Sequence, residues 1–449
     1  MTDSIAYYAQ LTDDPASSVW LSVITSDGAL GETLAVEYGH DAGDLNFTKG
    51  LPGQKIPERD EWIYQGKLAG LKPGRLVFWQ TALHSDPVPL KTLPNTLSET
   101  LRLMVMSDIH IENGDAHMNS PEEMEPAAAE KPDAVLFAGD LVESFSESYG
   151  ETRGGFWIQL FRDYLNQLHH DFIPPMTNVP GNHDVGNHSW EGSDGESIDP
   201  DGTYFRVFWK AISEIDPQGV NYAAIPLGDY AMALGIDTHS EYPSQTGQWV
   251  GSVDTSAPCV IPFHHSPLVA DDIRRSPEDQ NLQQRLRNAL FRFYRESRSI
   301  QFSIAGHIHV RTRTVPLEIT ETDPQTDEAF VLSDANGDPD GWVVQGSEGH
   351  QEIGQGYTDN RNGGNEGAWF LETSTLGEKH YNIVEISRGS VVVKTTLMTG
   401  QIPSESAWKT PFPPRQPSIR RGSVSTPVRR LNQAWEGANV RRISGGEWL

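Results

Sequence analysis

The chain has 449 residues, 62 acidic against 34 basic, and a formal net charge of −28 at pH 7. It is long enough to bury a large core and hold two domains, and so acidic a surface repels nucleic-acid backbones and disfavours a nuclease acting on long DNA. No run of about 18 apolar residues occurs, so no membrane-spanning helix is expected, and the single cysteine, Cys259, excludes an internal disulfide.

The opening Met1-Thr-Asp-Ser-Ile-Ala-Tyr-Tyr8 lacks the basic and apolar regions of a signal peptide, and a cytoplasmic location is expected. Strand-like stretches follow at Ser18–Ile24, Thr33–Tyr38 and Arg75–Trp79, with turn residues between them; short strands at this spacing predict a β-sandwich over residues 1–98. No catalytic constellation lies there. A linker is expected from His84 to Pro89 and on through Pro94-Asn-Thr96. From Leu101 strands alternate with helical patterns. Leu103–Met106, Ala134–Ala138, Ile261–Phe263 and Phe302–Ala305 read as buried parallel strands. Trp157, Leu160, Phe161, Tyr164, Leu165 and Leu168 form one helical stripe and Leu282, Leu286, Ala289, Leu290 and Phe293 another, both core faces. Cys259 reads as a buried strand residue rather than a nucleophile. A hairpin is expected from Tyr381–Ile386 to Ser390–Leu397. Residues 401–449 hold eight Lys/Arg against three acidic residues, and read as a loosely ordered tail that wraps the acidic body or reaches a second subunit.

Five short patterns carry the chemistry: Asp108-Ile-His110, Gly139-Asp140, Gly181-Asn182-His183-Asp184, His264-His265 and Gly306-His307-Ile-His309. Four of them follow one of the apolar runs, and in open α/β sheets the ligand site lies beyond the carboxyl ends of the strands. Together they supply seven candidate ligands, enough oxygen and imidazole donors for two divalent cations. Two cations ~3.5–4 Å apart can bind both oxygens of an in-line displacement and generate a hydroxide nucleophile at neutral pH. Asp140, just past its strand, can touch both. Gly139, Gly181 and Gly306 fit sharp exits where a side chain would obstruct the backbone. Alternation along an extended segment would point His307 and His309 to one side.

In this order the patterns resemble the calcineurin-like metallophosphoesterase superfamily and, within it, bacterial enzymes similar to purple acid phosphatases. The likeness runs from about Leu101 to His309, with support as far as about Met398. It implies an α/β fold, a four-layer αββα metallophosphoesterase sandwich spanning 99–400, preceded by a small all-β fibronectin-type-III-like domain at 1–98 and followed by the basic 401–449 tail. Gly70-Leu-Lys-Pro-Gly74 resembles the corner of such β-modules. One metal would take Asp108, His110, Asp140 and His309; the other would share Asp140 and take Asn182, His265 and His307. His264 and His265 leave the fourth pattern open, and Pro267 favours His265, because the related enzymes place the ligand two residues before a proline. His183 would protonate the leaving oxygen, with Asp184 orienting and polarising its ring. Purple acid phosphatases carry G-D-x-x-Y, whereas Glu143 stands at the tyrosine position here, which argues against a tyrosinate-ferric centre. The cofactors implied are two divalent ions, Mn, Fe, Zn or Co.

The activity implied is a metal-dependent phosphoesterase acting on a small phosphate ester by metal-hydroxide attack. A phosphomonoesterase ranks ahead of a phosphodiesterase on nucleotides or cyclic nucleotides; a catalytically silent binding scaffold is the reading from another class. The partners expected are a small phosphate ester, neither long nucleic acid nor membrane, and a second copy of the chain through the tail. Elsewhere, His117, His169, His170 and His188 read as surface residues, Asp237 as a turn residue, and His350 and His380 as structural. His239 could line the site. The loops 187–197, with Trp190, and 346–367 are candidates for substrate contacts, as are Arg153 and Arg311 for a phosphate clamp.

Overall fold

The computed structural model describes residues 4–26, 31–111, 120–142, 153–185, 202–215, 223–238, 243–268, 290, 293–294, 297, 299–300, 302–307, 312–313, 318–319, 332–333, 369–372, 380–388 and 390–397. Seven strands open the chain: β1 (Ser4–Gln10), β2 (Ser18–Thr25), β3 (Thr33–Gly39), β4 (Phe47–Lys55), β5 (Trp62–Ala69), β6 (Leu76–Thr81) and β7 (His84–Lys91). They make a sandwich of β1-β2-β5 against β4-β3-β6-β7, and β4 belongs to both sheets, since Phe47–Pro52 pairs with β3 and Gly53–Lys55 with β5. Leu34, Val36 and Tyr38 alternate inwards along β3 and meet Leu21, Val23 and Trp79 in a core of their own. Residues 84–91, expected as linker, instead form β7. Pro87 and Pro89 are tolerated there because β7 is the last strand of its sheet and need not donate a full ladder.

The remaining elements are β8 (Leu101–Met106), α1 (Glu125–Ala129), β9 (Ala134–Phe137), α2 (Arg153–Gln159), β10 (Met176–Asn178), α3 (Thr203–Phe208), α4 (Lys210–Ile215), β11 (Ala223–Leu227), β12 (Ala231–Ile236), α5 (Pro243–Ser252), β13 (Cys259–His264), β14 (Phe302–Ala305), β15 (Thr312–Arg313), β16 (Glu318–Ile319), β17 (Leu332–Ser333), β18 (Trp369–Glu372), β19 (His380–Ser387) and β20 (Ser390–Leu397). Strands β20-β19-β8-β9-β10 continue edge to edge into β1-β2-β5, while β11-β12-β13-β14-β18-β15 form a second sheet. The fold is mixed α/β with an all-β segment in front. The strands that precede the motifs, β8, β9 and β10 in one sheet and β13 and β14 in the other, run parallel within each sheet. β9, β13 and β14 are buried throughout and β8 is buried except at Arg102; they read as apolar runs rather than alternations, as strands covered on both faces do. Residues of both sheets share one hydrophobic core. The expected hairpin is β19–β20, closed at Ser387↔Ser390. All six residues of the first helical stripe are buried, on a helical run in which α2 passes into a π turn (Leu160–Tyr164) and a 3-10 turn (Leu165–Leu168). Among the described residues no helix is long and apolar enough to cross a membrane.

The front sheet is covered on its second face by the helices of the following segment. Tyr8 stacks on Phe161 with ring centroids 3.7 Å apart, and its hydroxyl donates to the Phe208 carbonyl at 2.6 Å. Gln10 closes the break between α3 and α4: its Nε2 donates to the same carbonyl at 3.0 Å and its Oε1 accepts the Ala211 N–H at 3.1 Å. These bonds satisfy main-chain groups that a helix end leaves unpaired.

His169, expected at the surface, instead lies flat against Tyr7 of β1, ring centroids 5.5 Å apart, with neither buried ring nitrogen hydrogen-bonded among the described residues. Burial holds its pKa down to about 4. His84, edge-on to the same Tyr7 at 5.1 Å, is lowered for the same reason. An unfolded histidine takes its proton near pH 6.5 and folded His169 only near 4, so the stability gained from keeping the ring neutral is present above pH 6.5 and lost as pH falls towards 4. For His169 the loss amounts to about 3 kcal/mol at most. Thermal denaturation at pH 7.5 and pH 5 should show a smaller acid loss in His169→Phe than in the wild type; an equal loss in both would refute this origin.

Candidate metal centre

All five patterns lie at the carboxyl ends of the parallel strands: Asp108 and His110 after β8, Gly139 and Asp140 after β9, Gly181–Asp184 after β10, His264 and His265 at the end of β13, and Gly306 and His307 after β14. The chain turns there at close quarters. A Cβ on Gly181 would overlap Asp140 Oδ1, and one on Gly306 would overlap Ser107 Oγ and come within 2.7 Å of Asp108 Oδ2. Both positions therefore require glycine for the backbone to approach the carboxylates. Asp108, His110, Asp140 and His307 adopt φ of 53°, 47°, 53° and 81°. A non-glycine residue there costs roughly 1–3 kcal/mol and persists only where the surroundings hold it. His307 is thus not in an extended run, and the alternation expected from β14 does not extend to it.

Asp140 lies at the middle. Its Oδ1 accepts the main-chain N–H of His183 at 2.8 Å. Among the described residues its buried Oδ2 has no hydrogen-bond partner, yet it faces His265 Nε2 at 3.0 Å and His110 Nε2 at 3.6 Å. His265 Nδ1 lies 2.8 Å from the Ala138 carbonyl, which calls for a hydrogen on that nitrogen and leaves the Nε2 lone pair facing Asp140 Oδ2 and, at 3.0 Å, Asn182 Oδ1. With the ring neutral, three acceptor atoms converge with no proton between them, and either a proton on Nε2 or a cation must join them. The ligand atoms of Asp140, His265 and His307 lie within 4.8 Å of one another, and so do those of His110, Asp140 and His183. Asp108 accepts the His307 N–H with both oxygens, at 3.0 and 3.1 Å, and its Oδ1 lies 3.8 Å from His110 Nε2. Two groups of donors meeting at one carboxylate are what a pair of divalent cations requires, so the residues present fit a dinuclear centre.

Electrostatics says the same. Burial works against charge on His265, but the Asp140 carboxylate outweighs it and lifts the ring to about 9. Burial would also raise Asp140, but His265, His183 and His110 hold it below the usual carboxylate range. With Asp108, Asp140 and Asp184 all buried, the pocket demands positive charge, from imidazolium or from cations.

The structure gives Asp184 a different set of partners from the His183 ring expected of it. Its Oδ1 accepts the N–H groups of Leu141 and Val142 and its Oδ2 those of Asp140 and Gly181. Burial and the neighbouring Asp140 charge raise its pKa to about 6. Asn178, which the sequence reading missed, accepts the Gly139 N–H and donates to Asp184 Oδ2 at 3.2 and 3.4 Å. His183 is only partly buried, its ring edge-to-face with His110 at 4.5 Å. His264 turns away, bonded to the Ser266 carbonyl at 2.8 Å and Ser303 Oγ at 2.9 Å, so the structure separates the adjacent pair: His265 faces Asp140 and His264 does not. Asp237 is buried at the end of β12, its carbonyl accepting from Thr246, and His380 is buried on β19. Cys259 is buried on β13, with its thiol pushed up to about 12, which removes it as a nucleophile. His309, Glu143, His117, His188, Trp190, His239, Arg311, His350, most of the second helical stripe, the two candidate loops, the 401–449 tail and the Arg153 side chain lie outside the described residues.

Residues 101–311 match the family model of the calcineurin-like phosphoesterases. This segment is a calcineurin-like phosphoesterase domain. Every candidate ligand from Asp108 to His309 falls within it, and the domain is that of a phosphoric ester hydrolase. Among solved structures, a purple acid phosphatase, PPD1 from yellow lupin (Lupinus luteus) seeds, aligns with a TM-score of 0.56 at 13% identity, covering 89% of this chain and 73% of that one. At that identity the likeness speaks for the fold, and at 89% of this chain it extends beyond residues 101–311. GAP50, the anchor in the inner membrane complex of Plasmodium, aligns with a TM-score of 0.36 at 12% identity over 68% of this chain and 86% of that one. Comparison with curated protein sequences gives no match.

Proposed function

We propose that the chain hydrolyses small phosphate esters, monoesters ahead of diesters, at a two-cation centre. Asp108, His110, Asp140 and His309 would hold one ion, Asp140, Asn182, His265 and His307 the other. The observation that carries this reading is the buried Asp140 Oδ2, 3.0 Å from His265 Nε2 and 3.6 Å from His110 Nε2, one imidazole from each group of donors. Bound divalent ions, Mn, Fe, Zn or Co, would polarise the phosphoryl oxygens and lower the pKa of the attacking water. The monoester ranks first because its dianion gains most from two cations.

The protein's own part is positioning and proton transfer. Asp140, fixed by the His183 N–H, keeps the two groups of donors in register. His183, partly exposed beside His110, would give a proton to the leaving oxygen, a step worth roughly 10²–10⁴ in rate. His183→Ala should therefore lose about that much turnover, most with poor leaving groups, while metal content stays unchanged; loss of a metal instead would make His183 a ligand. The test of the whole reading is hydrolysis of p-nitrophenyl phosphate and bis-p-nitrophenyl phosphate by metal-stripped protein reconstituted with Mn, Zn, Fe, Co and Ni. Faster monoester turnover is expected. The reverse ranking would make a diesterase of it, and two bound cations with no turnover at all would favour the scaffold.

A further inference from the structure

The structure assigns to Asp184 and Asn178 a shared positioning role: their side chains hold the loop 139–142 so that Asp140 presents Oδ2 to both groups of donors. The inference rests on the two-cation reading above. Asp140 sits at φ 53° directly after Gly139 at φ 88°, a conformation that needs outside support. The main-chain N–H groups of this loop point inwards, away from water, and each finds a side-chain acceptor. Asn178 takes that of Gly139, and Asp184 takes those of Asp140, Leu141 and Val142. Asp184 also accepts the Gly181 N–H at 3.0 Å, which ties the loop to the very glycine whose backbone lies against Asp140 Oδ1. Asn178 in turn donates to Asp184. One carboxylate and one amide thus organise the ends of β9 and β10 at once.

The two oxygens of Asp184 cannot be replaced by an amide of the same shape. Oδ1 serves two N–H groups and Oδ2 serves two main-chain N–H groups and the Asn178 amide. An asparagine has one acceptor oxygen, so whichever way it is turned, its NH₂ meets at least two donors head-on. Leaving buried donors unpaired would let the loop relax and Asp140 move out of register. Outer partners of this kind typically govern metal affinity by roughly 10–100-fold.

The experiment compares wild type, Asp184→Asn and Asn178→Ala. Mn²⁺ binding is followed by equilibrium dialysis, and hydrolysis of p-nitrophenyl phosphate by kcat and KM across Mn²⁺ concentrations. Each variant should bind Mn²⁺ roughly 10–100-fold more weakly. KM at saturating Mn²⁺ and the dependence of rate on leaving group should remain those of the wild type. Because both residues act on one loop, the double variant should lose less than the product of the single losses. Wild-type Mn²⁺ affinity in both variants would overturn the proposal. So would an altered leaving-group dependence at full metal occupancy, which would return Asp184 to the His183 ring. A wild type that takes up none of Mn²⁺, Zn²⁺, Fe²⁺ and Co²⁺ in the same dialysis would instead overturn the two-cation reading, and uptake of one of the others in place of Mn²⁺ makes that ion the probe for the variants. Asn178→Ala, which leaves the charge of the site intact, keeps the test open if Asp184→Asn does not fold.

Discussion

Asp140→Asn should abolish metal-dependent hydrolysis and also lower the melting temperature of the metal-free protein. The two effects have different causes. In the presence of cations the carboxylate is the one group facing both sets of donors, and an amide offers a single neutral oxygen in its place. Several kilocalories of charge stabilisation go with it, a loss of about 10³-fold or more in turnover. In the metal-free protein the same carboxylate is the counter-charge of His265: the neighbouring imidazoles hold it below the usual carboxylate range, and it lifts the His265 ring to about 9. A carboxyl whose folded pKa lies below its unfolded value adds stability where it is ionised, so removing the charge at pH 7 costs stability. Asparagine relieves Asp184, whose pKa the carboxylate raises, and tolerates the left-handed conformation, but it leaves the buried His265 ring without its counter-charge. Differential scanning fluorimetry with chelator, metal analysis and p-nitrophenyl phosphate assays on the same preparation separate the two. Retained turnover would rule out Asp140 as the shared ligand; a metal-free melting temperature at or above that of the wild type would show that its charge is not needed to build the fold.

What was legible in the sequence was mostly what short-range chemistry dictates. Glycines at 139, 181 and 306 announce tight approaches, and the approaches are there. Apolar runs marked β8, β9, β13 and β14 because strands covered on both faces leave no room for polar alternation. β10 was missed: three residues long and bracketed by Pro175 and Pro180, it has no periodicity to read, and it owes its place to neighbours on both sides. Asn178 went with it, since a lone asparagine at an unrecognised strand end has no pattern at all. Asp184 was read through its sequence neighbour His183, whereas its oxygens reach the loop 44 to 42 residues earlier in the chain. His169 and β7 failed for a related reason. A polar residue type and two prolines suggested solvent, and only the tertiary packing of β1 and the sheet edge says otherwise.

The same packing leads to the other large effect expected: the phosphoesterase domain should not fold without the strands that precede it. A chain beginning at residue 99 lacks β1, which lies next to β10 and pairs with it through Gln10↔Met176 and the Leu11 N–H to Met176 carbonyl bond at 2.9 Å. β10 would become a bare sheet edge at the strand that carries Asn178 and leads into Asn182. The truncation also removes Tyr8 from the face of Phe161 and leaves the Phe208 carbonyl and Ala211 N–H at the α3–α4 break without Tyr8 and Gln10. Phe161, Phe208 and Trp209 are each at most 1% exposed in the whole chain. Uncovering several such side chains, at about 1.5–3 kcal/mol each, together with the lost main-chain bonds, approaches the roughly 5–15 kcal/mol by which a domain is stable. Expression of residues 99–449 should give insoluble protein, or protein with no cooperative thermal transition and no bound metal. Gln10→Ala in the full chain, which deletes only the clip at the helix break, should lower the melting temperature without changing KM. A truncated protein that melts cooperatively near the full-length temperature and keeps its metal would show that the front strands are an appendage after all.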